Sequence, residues 1–132
     1  MEIREKDFCK FIDVLNQLSE RLQEEKEQIS IGVKLLNDVT NLQDPVALSN
    51  CAEKLYELLD DDTGFVVLQE EEQDNQKIIA FDCVIDILAI TSKYVHEKSG
   101  QKYLPEPIEL VSNETMDHLK ESLKKLQISY DF

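Results

Sequence analysis

The side chains best suited to chemistry in this sequence are carboxylates, and eight of the 28 fall in one short segment. Between Glu57 and Asp74, which we call the acidic stretch, there are eight acidic residues and no Lys or Arg, so this segment supplies −8 of the chain's net charge of −14. Its acidic members are Glu57, Asp60, Asp61, Asp62, Glu70, Glu71, Glu72 and Asp74. Like charges at this density repel one another, and a basic partner is their natural complement.

The spacing within the acidic stretch does not match a calcium-binding loop. An EF-hand loop requires Gly at its sixth position after alternating oxygen ligands, whereas counting from Asp60 places Gly64 at the fifth position. Starting one residue earlier puts Leu59 in the first ligand position. These mismatches leave at most a fortuitous low-affinity cation site, and the sequence predicts neither a metal centre nor a cofactor.

Asp82 and Asp86 form a second group of carboxylates, spaced by one helical turn. Two carboxylates at this spacing can bind a metal ion or take part in acid–base catalysis, as in helical di-iron proteins. Those proteins also use a Glu-x-x-His motif, which does not accompany this pair. We therefore interpret both residues, with Lys93, as a solvent-accessible stripe on an otherwise apolar helix and as candidates for partner contact.

Other catalytic groups are sparse. His96 and His118 fall on different predicted helices, without Cys or carboxylates at metal-ligand spacing, and we expect both to be partly exposed. No Ser or Cys has the sequence context of a nucleophile elbow. The three glycines are too far apart to form a phosphate-binding loop. The sequence thus predicts a protein that is not an enzyme.

The composition indicates a folded and strongly acidic protein. With 132 residues, 42% of them hydrophobic, the chain is long enough to bury a core, and we expect a single domain spanning residues 1–132. Its 14 basic and 28 acidic residues create a field that repels nucleic acid and anionic membrane surfaces. No segment approaches the ~20 apolar residues of a spanning helix, and the N-terminus lacks the apolar region of a signal peptide. We therefore predict a cytoplasmic protein without nucleic-acid or membrane partners.

Three cysteines, Cys9, Cys51 and Cys83, would stay reduced in the cytoplasm. Each of them falls within an apolar helical pattern. We therefore expect them to be small buried hydrophobic residues rather than disulfide partners or metal ligands.

Apolar residues recur at helical spacing along most of the chain. The pattern predicts a first helix over residues 7–27 with Asp7 as its N-cap, and it continues to Val39 across a polar segment that is either a turn or an exposed part of the same helix. Asp44 before Pro45 predicts a helix that stops near Asp61, and Ser112 or Asn113 predicts the cap of a last helix. The segment "GFVVLQ" could be a strand from its β-branched pair, but it has no obvious mate.

Residues 77–97 are the most apolar segment of the chain. Ile78, Phe81, Ile85, Leu88 and Val95 follow one helical stripe, and a second apolar stripe lies beside it. A helix that is apolar over so much of its circumference must lie inside a bundle. We predict an all-α bundle of about five helices with the 77–97 helix at its centre.

Three features follow one another along the C-terminal two thirds of the chain. They are the Leu-Tyr followed by an acidic turn ending at Gly64 in "KLYELLDDDTGFVV", the "AFDCVIDI" helix, and the Leu-Pro of "KYLPEPIELV" before the final helix. In this order and spacing, they resemble a family of small acidic immunity proteins encoded beside bacterial polymorphic toxins.

The resemblance implies a protein that binds a cognate toxin domain and neutralises it by stoichiometric contact. Many such toxins are nucleases with clefts lined by Lys and Arg, so clustered carboxylates could occupy the phosphate subsites and accelerate encounter. We accordingly interpret the eight carboxylates of the acidic stretch, together with Asp82 and Asp86, as candidates for toxin contact. Two alternatives stay open: an acidic helical adaptor that binds a basic cellular protein, and an acidic stretch that only keeps the protein soluble.

Overall fold

The computed structural model describes residues 3–60, 62, 64–100 and 106–132, with the backbone alone at 106 and 107. Its helices are α1 Glu5–Arg21, α2 Lys26–Val39, α3 Pro45–Glu57, α4 Phe65–Glu71, α5 Asn75–Lys98, α6 Glu106–Glu109 and α7 Asn113–Lys125. A 3₁₀ turn, Gln23–Glu25, joins α1 to α2. These ranges contain no strand, so the predicted all-α class is confirmed. Six of the helices have seven residues or more, one more than the predicted five, because "GFVVLQ" forms α4.

The polar segment after α1 is a turn and not a continuation of the helix. Leu22 leaves the helical conformation with φ −112° and ψ 63°, and the 3₁₀ turn then leads into α2. The Leu22 side chain is nevertheless buried, so it anchors the bend to the core. The predicted end of the first helix at residue 27 is therefore too late.

The start of α1 also differs from the prediction. The helix begins at Glu5, which makes Asp7 its third residue rather than its N-cap. The Asp7 carboxylate accepts a hydrogen bond from the backbone N–H of Arg4 at 3.0 Å. Asp7 thus stabilises the helix end from inside the first turn, as the acidic partner of a capping box does.

The predicted caps of α3 and α7 are confirmed. The Asp44 carboxylate accepts a hydrogen bond from the backbone N–H of Val46 at 3.0 Å, and Pro45 is the first helical residue. The Ser112 hydroxyl accepts one from the backbone N–H of Glu114 at 3.3 Å. Each cap satisfies a backbone donor that has no partner within its helix.

Helix α5 lies at the centre of the bundle, as its apolar sequence predicts. It contacts each of the other α-helices in the described part of the chain. Phe81, Val84, Ile87 and Leu88 are buried, whereas Ile85, which the sequence places on the main apolar stripe, is only partly buried. Despite this apolar character, no helix within the described ranges combines the length and apolarity needed to cross a membrane.

The cysteines divide into two groups. Cys51 and Cys83 are buried in the core, as expected, and burial raises the pKa of the Cys83 thiol to about 12. Cys9 is exposed, so its predicted burial is wrong. It follows Phe8, which is buried, and one residue along a helix turns the side chain by about 100°, away from the core-facing stripe.

Candidate acidic interface

The acidic stretch runs along one connected part of the fold. Glu57 ends α3, Asp60 and Asp62 lie in the turn that follows, Glu70 and Glu71 end α4, and Asp74 directly precedes α5. All six of these residues are exposed and Glu72 is half-buried, while Asp61 lies outside the described residues. Exposure of these side chains is what their positions off the apolar stripes predict.

Backbone hydrogen bonds close the turn between α3 and α4. The N–H of Phe65 donates to the carbonyl of Leu58 at 2.8 Å, and the N–H of Gly64 donates to the carbonyl of Asp60 at 2.9 Å. The Asp60 carboxylate accepts a further bond from the N–H of Asp62 at 3.1 Å. The exposed acidic side chains of this turn are thus attached to a backbone of defined shape.

Gly64 is required by the tightness of that turn. A Cβ atom at this position would lie 2.5 Å from the carbonyl oxygen of Leu58 and 2.6 Å from the backbone nitrogen of Asp60. Neither backbone atom can move without opening the turn. Steric exclusion therefore explains why a glycine lies in the middle of the acidic stretch.

Two carboxylates of the acidic stretch have structural roles. The Asp74 carboxylate caps α5 by accepting hydrogen bonds from the backbone N–H groups of Gln76 at 2.9 Å and Lys77 at 3.4 Å. The Glu72 carboxylate accepts hydrogen bonds from the N–H groups of Gln73 and Asp74, both at 3.1 Å. These two side chains shape the connection between α4 and α5.

Three other carboxylates of the stretch differ from this pair. Within the described ranges, no side-chain hydrogen bond or ion pair involves Glu57, Glu70 or Glu71. Their charges therefore point into solvent from helix ends that are fixed by packing.

Asp82, Asp86 and Lys93 are each partly buried, so the predicted solvent stripe is only partly accessible. The side-chain amide of Gln69, on α4, donates hydrogen bonds to the Asp82 carboxylate and to the carbonyl of Ile78. Asp86 Oδ2 lies 2.6 Å from His118 Nδ1 on α7, and the Asp86 side chain is only 14% exposed. Neighbouring helices thus cover both carboxylates in part, and they hold α4 and α7 against α5.

The environment of this pair shifts both pKa values upward. Burial raises the pKa of Asp86 to about 6, although its hydrogen bond with His118 acts in the opposite direction. The same hydrogen bond raises the pKa of His118, against the smaller effect of its partial burial. The half-exposed His118 fits its expected exposure, whereas His96 is buried in the core.

Two further carboxylates extend the acidic surface beyond the predicted set. Glu25, in the 3₁₀ turn, is close enough to Glu24, Glu72 and Lys77 for their charges to affect it. Burial, followed by the charge of Glu24, raises the pKa of Glu25. The sequence signal for these residues is the polar segment "EEKEQ", which fits either a turn or an exposed part of a helix and gives no sign that it lies beside the α4–α5 connection.

Metal binding finds no support in the geometry of the described residues. Within those ranges, no group of three or more His, Cys, Asp or Glu side chains is arranged to hold a metal ion. Exposed carboxylates can form ion pairs and charge-assisted hydrogen bonds with a cationic surface.

Comparison with protein families identifies the class of protein to which this surface belongs. The model of the immunity protein Imm6 matches residues 11–126. The chain belongs to the Imm6 immunity protein family. The match covers the whole acidic stretch, α5 and all of α7, and it confirms the resemblance to an immunity protein family. Neither curated proteins nor solved structures give a significant match.

Membership in the Imm6 family gives the general class of partner. An immunity protein acts against a toxin. The expected partner of the exposed surfaces is therefore another protein. Among the surfaces described above, the acidic stretch combines the highest density of charge with a fixed backbone.

Proposed function

We propose that this Imm6 protein acts as a single helical domain that neutralises its cognate toxin by forming a stoichiometric complex. The observation that carries the proposal is the acidic stretch, whose exposed carboxylates extend from a closed turn and from two helix ends. Glu57, Glu70 and Glu71 are available for pairing with a partner, since no described ion pair engages them. The proposed binding surface meets a basic surface of the toxin.

A nuclease domain is the toxin class that fits this surface best. Nucleases bind phosphates with Lys and Arg, and a cleft lined by such residues attracts carboxylates held at its mouth. The net charge of −14 would add long-range attraction, which raises association rates by about 10- to 1,000-fold in steered complexes. In this proposal the protein blocks access to the toxin's active site and performs no catalysis of its own.

The proposed complex is expected to form in the cytoplasm, where a toxin of this kind would act. A net acidic protein is disfavoured at nucleic acid and at anionic membrane surfaces. The proposal therefore includes one macromolecular partner, the toxin domain, and requires no cofactor.

Co-expression tests the proposal directly. A candidate toxin domain, sought first in the genes beside this one, is produced in a bacterial host with or without the immunity protein, and growth is measured. We expect growth only when both proteins are present, and we expect them to copurify in a fixed ratio. A variant of the immunity protein that carries the same net charge but unfolds in isolation is the negative control.

Two outcomes would contradict the proposal. Failure to restore growth would show that this protein does not act against that toxin. Restored growth without a stable complex, accompanied by a covalent change in the toxin, would indicate an enzyme instead of a stoichiometric inhibitor.

A further inference from the structure

A groove lies between α2 and the turn that follows α3, next to the acidic stretch. It encloses about 470 Å³ and is lined by Gln28, Ile31, Lys54, Glu57, Leu58 and Gly64. The Ile31 side chain is 51% exposed at this groove. The groove thus places the apolar side chains of Ile31 and Leu58 beside the Glu57 carboxylate and the backbone of the acidic turn.

The setting of Ile31 distinguishes it from that of Val46, another exposed apolar residue. Single apolar residues on a protein surface are common and need no explanation. Val46, which is 66% exposed, lines a different groove with Pro45, Ser49, Asn50, Ser99 and Gly100, none of which is charged. At Ile31, in contrast, an apolar centre and a charged rim occur together, which is the usual organisation of a protein–protein interface.

The walls of the Ile31 groove are held in place by close packing. At Gly32, the next residue of α2, an added Cβ would lie 3.3 Å from a methyl carbon of Leu88 and 3.6 Å from one of Leu58. The absence of a side chain thus brings α2 close to both α5 and the end of α3. Since the Leu58 carbonyl is also fixed by the N–H of Phe65 at 2.8 Å, little ordering is needed before a partner binds, and preorganised surfaces bind at lower entropic cost.

We propose that this groove receives an apolar side chain of the toxin, with Ile31 as the central contact and with Glu57 and the acidic turn binding basic residues around it. The inference rests on the proposed function and assigns the centre of the interface. A partner that fits presents an apolar side chain flanked by Lys or Arg. Lys54 adds one positive charge to the rim and would pair with a carboxylate of that partner.

Charge argues against a second copy of this chain as the occupant. A two-fold symmetric dimer would place the same surface of both copies together. The acidic stretch of one copy would then face that of the other, and each chain carries a net charge of −14. A basic toxin surface would attract the acidic stretch, whereas a second copy of this chain would repel it.

The test compares Ile31→Ala with the matched variant Val46→Ala. Both remove part of an exposed aliphatic side chain from a helix, and alanine favours the helical conformation, so both proteins should fold. We expect Ile31→Ala to raise the dissociation constant for the co-expressed toxin domain by at least about tenfold, mainly through faster dissociation. Val46→Ala should change it by less than about twofold. Surface-immobilised toxin domain gives both rate constants, and circular dichroism checks the fold.

The possible results separate this inference from the proposed function. If the wild-type protein binds the toxin and Ile31→Ala binds equally well, the groove is not the centre of the interface and the proposed function stands. If the wild-type protein does not bind the toxin, the proposed function fails and this inference fails with it. If sedimentation reveals a dimer of the wild-type protein that Ile31→Ala dissociates, the groove serves self-association and the inference is overturned.

Discussion

The acidic stretch and the α5 carboxylates show how similar residues acquire different roles. Both groups consist of closely spaced acidic residues, and the sequence makes both of them candidates for toxin contact. In the structure, Glu70 and Glu71 are exposed, whereas Asp82 binds Gln69 and Asp86 binds His118. Glu70 and Glu71 present their charges to solvent, whereas Asp82 and Asp86 use theirs to hold helices together.

The difference comes from what faces each group across the bundle. A carboxylate that loses water needs hydrogen bonds within the protein, because an unpaired buried charge is strongly destabilising. Gln69 and His118 supply those bonds from α4 and α7. If the acidic stretch forms the proposed toxin interface, we expect Asp82 and Asp86 to contribute less to binding than it does, since contact with the toxin would compete with bonds that already exist.

The largest expected effect is a loss of stability when the core packing next to the α5 carboxylates is removed. Phe81 precedes Asp82 and is 1% exposed, and its ring lies 6.3 Å from that of Phe65 on α4. Phe81→Ala should lower the free energy of unfolding by about 3–5 kcal/mol, as is typical of Phe→Ala in a core. Urea denaturation followed by circular dichroism measures this loss.

Ile85→Ala is the control within the same helix. Ile85 is only partly buried, so its truncation should cost less than that of Phe81. Equal losses for the two variants would mean that α5 is not held mainly through its Phe81 face, and the assignment of α5 carboxylates to internal support would weaken.

Much of the fold could be predicted from the sequence because its signals are local. The caps Asp44 and Ser112 act within their own helices, and the apolar circumference of α5 is visible without knowledge of its neighbours. The helical conformation of "GFVVLQ" is not determined by local sequence signals. Val66 and Val67 favour a strand, but Phe65 packs against Phe81, and the Gln69 amide reaches α5, so tertiary contacts decide in favour of a helix.

The candidate site, like the fold, could be predicted from the sequence only where the signals are local. Exposure of Glu57, Glu70 and Glu71 follows from their positions off the apolar stripes. The partial burial of Asp86 could not be foreseen, because its partner His118 is 32 residues away in sequence. The Ile31 groove is likewise formed by two helices, and a pattern read along α2 alone shows neither Leu58 nor the acidic turn beside it.

The second prediction concerns the role of the acidic stretch in binding. Replacing Asp60 and Asp62 by Asn, and Glu70 and Glu71 by Gln, should slow association with the toxin domain by about 10- to 100-fold at low ionic strength. Stability should hold or rise slightly as repulsion is relieved. Asn at position 60 keeps an oxygen that can accept the hydrogen bond from Asp62. Stopped-flow or surface-based kinetics at low and high salt measures the effect, which salt should diminish.

A matched control removes the same number of charges elsewhere. Asp13, Glu97, Asp117 and Glu121 are all exposed and lie on α1, α7 and the far end of α5. Their neutralisation should slow association far less, since steering depends on where the charge lies. Equal slowing by both variants would mean that net charge alone matters, and identical rates for all three proteins would exclude the acidic stretch as the toxin-facing surface.

A smaller effect separates the two roles open to Asp74, which belongs to the acidic stretch but caps α5. Asp74→Ala should lower the free energy of unfolding by about 1 kcal/mol, the usual cost of losing an N-cap side chain. Asp74→Asn keeps the cap and removes the charge, so it should leave stability nearly unchanged. If Asp74→Asn also binds toxin at the wild-type rate, Asp74 is structural only; slower association would add it to the contact surface.

The smallest effect is a pH dependence that should distinguish the Asp86–His118 pair from the exposed carboxylates. Burial raises the pKa of Asp86 from 3.8 to about 6. Between these pH values the folded protein keeps a proton that the unfolded chain has released, so stability falls as pH rises. The hydrogen bond to Asp86 raises the pKa of His118 above 6.5. The stabilisation that His118 provides is therefore complete below 6.5 and is lost as pH rises through the raised pKa.

The two contributions have the same sign, which makes the test robust to the exact distribution of protons within the pair. The negative charge of Asp82 raises the pKa of both groups, while Lys125 lowers that of His118. Relative to Asp86→Asn, the wild-type protein should lose free energy of unfolding as the pH rises from about 4 through 6 and past 6.5, until His118 is deprotonated in the folded protein. Urea denaturation at several pH values measures this difference, in which the titration of carboxylates that do not interact with Asp86 cancels. A difference that does not change with pH would show that Asp86 is solvated like the acidic stretch, and the contrast between the two groups of carboxylates would disappear.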